Sequence, residues 1–248
     1  MKIAQQEEVC AESFAGAAEG VMSLVDHLQE FRQRLIKVII AIVIASSCSY
    51  IFSADIVAWM TQPAGKLYYM HPAEAFFTYM KVAVVVGFLI TLPVTMYQVW
   101  AFLLPALKKR EKHTATFFML ASVVLFVLGL VFAYFFALPA GVRFMLGFES
   151  DNLQPLFSIG DYVSFVLSFL LPFGLIFELP LFILVAAHFG LVSGEFLKAK
   201  RKAVLVLAFI VGAILSPTPD ILSQTLVAVP LMVLYELSHL IVRYILHK

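Results

Sequence analysis

Glu178 lies in the apolar run Phe173-Gly-Leu-Ile-Phe-Glu-Leu-Pro180, near the middle of a stretch long enough to cross a bilayer. A charged group there costs about 2.5–3.5 kcal/mol on insertion scales, and burial favours its uncharged form. Two uses fit such a group. It is a neutral acid held by a backbone carbonyl that Pro172 or Pro180 frees, or it faces a water-filled concavity and offers a partner helix a hydrogen bond that lipid cannot supply. Gln224, at the start of the last apolar run, is either a second group of this kind or an interfacial side chain.

Two further carboxylates stand out for the company they keep. Glu30 lies in His27-Leu-Gln-Glu-Phe-Arg-Gln-Arg34, and Glu111 follows Lys108-Lys-Arg110. Outside the N-terminal tail, the acids on this basic face are Asp26, Glu30, Glu111 and Glu195. Glu30 and Arg34 have the favourable i,i+4 order for a solvated ion pair, and the basic cluster is first a topology signal. Separated carboxylates among cations are also suited to receiving one guanidinium each in a forked, charge-assisted contact. Leu28, Phe31 and Leu35 repeat at helical spacing, as in an amphipathic segment lying at the membrane surface.

Enzyme chemistry finds no foothold. The six histidines are scattered, without an HExxH motif or an i,i+4 pair, so no metal site is expected. There is no phosphate-binding loop, dinucleotide fingerprint or nucleophile elbow, so neither a cofactor nor a catalytic residue is expected. Cys10 in a polar stretch and Cys48 in an apolar one do not make a disulfide framework.

The elements that must position these groups are membrane helices. The chain is 62% hydrophobic and 13% charged, against about 45–50% and about 25% in soluble domains, too few charges to cover a water-facing surface. Six runs are candidate spans: Leu35–Phe52, Phe77–Leu104, Thr116–Leu138, Tyr162–Phe189, Ala203–Leu215 and Leu222–Ile241. Their length excludes the alternating pattern of an outer-membrane barrel. All but three of the 17 Lys and Arg residues fall on one side, the exceptions being Lys66, Lys81 and Arg143. That bias predicts both termini in the cytoplasm. The net charge of +1 says nothing about nucleic acid, and no nucleic-acid partner is expected. Residues 1–21 are expected to be a flexible acidic tail rather than a signal peptide, leaving 22–248 as one transmembrane domain.

The fifth and sixth runs are short. Thirteen apolar residues from Ala203 to Leu215 rise only about 20 Å, against about 30 Å of hydrocarbon. They are sheltered inside the bundle, or they thin the bilayer around them. Pro93, Pro172, Pro180 and Pro230 within the spans predict kinks and hence a curved bundle. The two halves differ in span length and show no repeat, which weakens a repeat-built transporter.

Several motifs in order resemble the C subunit family of the twin-arginine protein translocase. They are His27–Arg34, with Phe31 where leucine is usual; Tyr97–Leu107 followed by Glu111; Phe173–Pro180; Ser216-Pro-Thr-Pro-Asp220 through Ser223-Gln224; and Pro230 with Tyr235-Glu236. The resemblance covers about residues 22–242. It implies an all-α integral membrane protein, six transmembrane helices in a concave, cupped bundle with short helices 5 and 6. It further implies a receptor for twin-arginine signal peptides of folded cargo, single-span A-type and B-type partners in a multi-copy complex, and export driven by the proton gradient across the bacterial inner membrane. Carried over position by position, Glu30 and Glu111 would receive the signal's arginines, with Arg32 and Phe102 supporting that surface. Glu178 would be the polar group of the concave face and Gln224 a partner contact. Pro63, Tyr134 and Asp220 would be structural or coupling positions. The competing reading is a secondary transporter or channel for a small solute that uses Glu178 as its coupling site. It requires a midplane cluster of polar groups from several spans, and the sequence offers one strong group.

Overall fold

The computed structural model describes residues 24–65, 67–103, 112–147, 156–215 and 220–244. The tail at 1–21, Glu111 and the segment 216–219 lie outside the described residues. Ten helices carry the described residues: α1 (Leu24–Tyr50), α2 (Ser53–Met60), α3 (Glu74–Ile90), α4 (Leu92–Leu103), α5 (Lys112–Phe132), α6 (Leu138–Leu146), α7 (Ile159–Phe177), α8 (Leu179–His188), α9 (Gly194–Leu215) and α10 (Ile221–Tyr244). A π-helical turn, Ala133–Ala137, joins α5 to α6.

Three continuous helical stretches, Thr116–Phe144, Ile159–His188 and Ser223–Tyr244, are each long and apolar enough to span a bilayer. Two bent pairs pass the same test jointly: α1 with α2, bent by 79°, and α3 with α4, bent by 57°. The fifth predicted span, Ala203–Leu215, lies within α9. This helix is longer than its apolar part because its first turns carry Glu195, Lys198, Lys200, Arg201 and Lys202. Similarly, α10 runs unbroken through Gln224 and Pro230, so the apolar runs at 203–215 and 222–241 are shorter than the helices that contain them.

The amphipathic stretch before the first span is not a separate surface segment. It continues α1 without a break from Leu24, since nothing between Arg34 and Leu35 interrupts helical hydrogen bonding. Of the four predicted kinks, Pro93 and Pro180 stand at the second position of new helices, whereas Pro172 and Pro230 sit inside continuous ones.

Packing runs from α1 against α3, through α3 against α7, to α7 with α5, and on to α8 and α9 against α10. Close backbone approach sets two of these contacts. A Cβ on Gly87 would stand 2.6 Å from the Cα of Ser46, and one on Gly174 would meet the Phe126 ring at 2.6 Å. Lipid tails are as apolar as leucine, so close packing of this kind, rather than the hydrophobic effect, holds membrane helices together. The fully buried Val82, Val163, Val166 and Leu138 centre one cluster, and Phe169, Phe173 and Ala208 another.

Candidate functional site

At the basic-rich end, α1 and α4 lie side by side. Glu30 and Arg34 are one turn apart on α1, and Arg34 Nε and Nη2 both donate to Glu30 Oε1, at 3.0 and 2.5 Å. The third arm of the guanidinium, Nη1, donates to Gln98 Oε1 of α4 at 3.1 Å. Glu30 Oε2 is shielded from solvent and has no hydrogen-bond partner among the described residues. One turn earlier, the His27 ring stacks on Phe102 with centroids 4.3 Å apart, and Phe31 leans on the same ring at 5.4 Å. Arg32, two residues along α1 from Glu30, is exposed. The structure thus brings Glu30, Phe102 and Arg32 to one helical end. The distance from Glu30 to Glu111 lies outside the described residues.

Glu178 is in a different place, at the junction between α7 and α8, and only 2% exposed. Its carboxyl does not take up a freed carbonyl or line an open face. Oε2 accepts from the Ser122 hydroxyl of α5 at 2.7 Å, and Oε1 is buried without a partner among the described residues. The same hydroxyl lies 3.2 Å from the Met96 sulfur of α4. Three helices therefore meet at this carboxyl.

The remaining predicted positions are scattered. Gln224 is half-buried in the first turn of α10, and its backbone carbonyl would lie 2.8 Å from a Cβ on Gly212, so α9 and α10 approach closely there. Asp220 caps α10, its Oδ2 accepting the Ser223 N–H at 2.7 Å, the expected use of an aspartate just ahead of a helix. Tyr134 sits in the π turn and stacks on Trp59 of α2 at 4.5 Å, fastening the bent end of the first span to the third. Pro63 lies in the one-turn 3₁₀ helix Gln62–Ala64 that follows α2.

Two polar clusters were not foreseen from the sequence. At the basic-poor end, Glu74 Oε1 accepts from the Ser158 hydroxyl and from the Gly160 N–H at 2.8 Å, while Oε2 accepts from the Met70 N–H at 2.6 Å. Beside it, Tyr68 exchanges backbone hydrogen bonds with Phe157 and Ile159 at 3.1 and 2.8 Å. Glu74 precedes the span that starts near Phe77, and the bonds from Ser158, Gly160 and Met70 hold its carboxyl down at about 2. At the basic-rich end, Arg201 of α9 donates to Glu236 of α10 at 2.5 Å and meets His239 Nδ1 at 3.2 Å. A lone carboxylate just ahead of an apolar run was the sequence signal for the first cluster. For the second it was Glu236, which interrupts the sixth apolar run and adds an acid to the basic-rich end beyond the four expected there.

An all-helical bundle of apolar spans, with carboxylates at an aqueous end and in its interior, defines a multi-pass integral membrane protein. The comparisons narrow this class. The family model for the Sec-independent protein translocase protein TatC matches residues 26–230. TatC proteins of Carboxydothermus hydrogenoformans (39% identical, over 92% of this chain and 95% of that one) and Escherichia coli K12 (36%, over 94% and 92%) are similar along nearly their whole lengths. Two crystal structures of the twin arginine translocase receptor TatC, one of them in DDM, superpose with TM-scores of 0.77 and 0.79 at 38% identity, covering 86% and 87% of this chain and 96% and 99% of theirs. The chain belongs to the TatC family and is a component of a Sec-independent, twin-arginine protein translocase.

Proposed function

We propose that this chain is the core receptor subunit of that translocase. Its basic-rich end faces the cytoplasm of a bacterium, carries both termini, and takes up the twin-arginine signal peptides of folded proteins. Glu30 and Glu111 each receive one guanidinium, with Arg32 and Phe102 shaping the surface around them. Glu178 and Gln224 lie on the route to single-span A-type and B-type subunits, with which the chain assembles in several copies for proton-gradient-driven export across the inner membrane.

The observation that carries this reading is the state of Glu30. Its carboxylate already holds a guanidinium in a charge-assisted contact, at a helical end lined by Phe31, Phe102 and His27. A group arranged to bind one arginine side chain is arranged to bind another. In contrast, the buried Glu178 carboxyl meets a single polar side chain among the described residues, Ser122, and not the midplane cluster that the transporter alternative requires.

The test is crosslinking of a synthetic twin-arginine signal peptide to the detergent-solubilised protein. Glu30→Ala and Glu111→Ala are expected to lower capture about tenfold or more, since each removes a charge-assisted contact. A Lys-Lys signal is expected to be captured less well than Arg-Arg. Equal capture by both variants and the wild type overturns the reading.

A further inference from the structure

Resting on the receptor reading, we propose that Arg34 is a resident guanidinium which an incoming signal arginine must replace on Glu30, and that Gln98 retains the displaced side chain. Recognition at this position is then an exchange of one guanidinium for another, and the resident pair sets the affinity threshold that a signal must pass.

Three observations converge on this. Glu30 Oε1 is taken twice by Arg34, through Nε and Nη2. The other oxygen, Oε2, is shielded from solvent. With one oxygen held by Arg34 and the other shielded, the carboxylate has no free pair of oxygens for a forked contact, and the Arg34 contact must open before a second guanidinium can fork onto it. Finally, Arg34 is also tied to α4 through Nη1 and Gln98 Oε1, a neutral acceptor that remains when the carboxylate is given up. The pair is about three-quarters buried, with side-chain exposures of 23% and 22%, so water still reaches it and can help it open. Because the site binds only when open, the resident pair lowers the affinity of every ligand by the same factor. A lysine signal, which lacks the planar fork, starts weaker and falls below the threshold first.

The experiment measures binding of a fluorescent synthetic signal peptide, with Arg-Arg or Lys-Lys, to the purified full-length protein by anisotropy. Arg34→Gln and Arg34→Lys are expected to bind both peptides roughly two- to fivefold more tightly, the range of an ion pair at this exposure, with the ratio between the peptides unchanged. Arg34→Lys separates exchange from simple charge removal, because it keeps the cation and loses the fork. Lys37→Gln, one turn further along α1, serves as the charge control and should leave affinity within about twofold. In wild-type protein with labelled arginine, the Arg34 Nε–H resonance is expected to move when the Arg-Arg peptide is added. Unchanged or weaker binding by Arg34→Lys, or an unmoved resonance, overturns the exchange. Glu30→Ala distinguishes the two levels of failure: wild-type affinity in that variant removes the receptor reading itself, whereas lost affinity there with no gain in Arg34→Lys removes only the exchange.

Discussion

Ser122 supplies the one hydrogen bond that the Glu178 carboxyl makes among the described residues. A buried polar group left without its partner costs about 1–3 kcal/mol. Ser122→Ala is therefore expected to lower stability by that amount, read as thermal unfolding in detergent. The same substitution in a Glu178→Leu background should cost much less, because no carboxyl is then stranded. A coupling of about 0.5–3 kcal/mol between the two positions is the signature of direct contact, and additive effects would show that Ser122 matters only for packing. Glu178 itself was legible in the sequence, since a carboxylate in an apolar span is rare enough to announce itself. Its partner was not: one serine in the third apolar run looks like any other small residue at a helix contact. Glu30–Arg34 was readable from spacing alone, because i,i+4 geometry is local. Gln98, 64 residues away in sequence, was not.

Among the elements, the spans were readable and their breaks only in part. Length and apolarity define a membrane helix whatever its neighbours do, and each candidate run lies within or overlaps an observed helix. Helix breaks depend on whether the carbonyl that a proline leaves unpaired finds a new partner. The pairs Leu92-Pro93, Leu138-Pro139 and Leu179-Pro180 each open a new helical segment, yet Leu171-Pro172 lies within α7. At the first of these, Thr91 is buried and turns its hydroxyl onto the carbonyls of Gly87 and Phe88, satisfying the end of α3 internally. That same stretch contains Gly87, where α3 meets α1. Because a Cβ there would be driven into the Ser46 backbone, Gly87→Ala is expected to destabilise the protein by about 1–3 kcal/mol, as overpacking does. A Cβ on Gly141 would meet the Phe165 ring at 3.4 Å, an ordinary contact, so Gly141→Ala should cost far less. Thermal unfolding of the two variants side by side checks this, and equal melting temperatures would show that α1 and α3 are free to separate.

Across the whole molecule, each end of the bundle is fastened by polar contacts. Apolar side chains gain little by leaving lipid for one another, so contacts at the ends do much to fix how the spans are set relative to each other. Arg201 with Glu236 and His239 joins α9 to α10 at the basic-rich end, while Glu74 joins the segment at Met70 and His71 and the start of α7 to its own helix at the other. The Glu74 contribution has a defined pH window. Its carboxyl is held at about 2, below the ordinary value of 4.5, so the folded state favours the charged form. The stabilisation is complete above about pH 4.5, declines as the pH falls below that value, and is gone near pH 2. Glu74→Ala lacks it at every pH. The difference in melting temperature between wild type and Glu74→Ala should therefore be greatest at pH 6–7 and shrink steadily towards pH 3. A difference that holds constant down to pH 3 would mean that Glu74 supports the fold through packing and not through its charge.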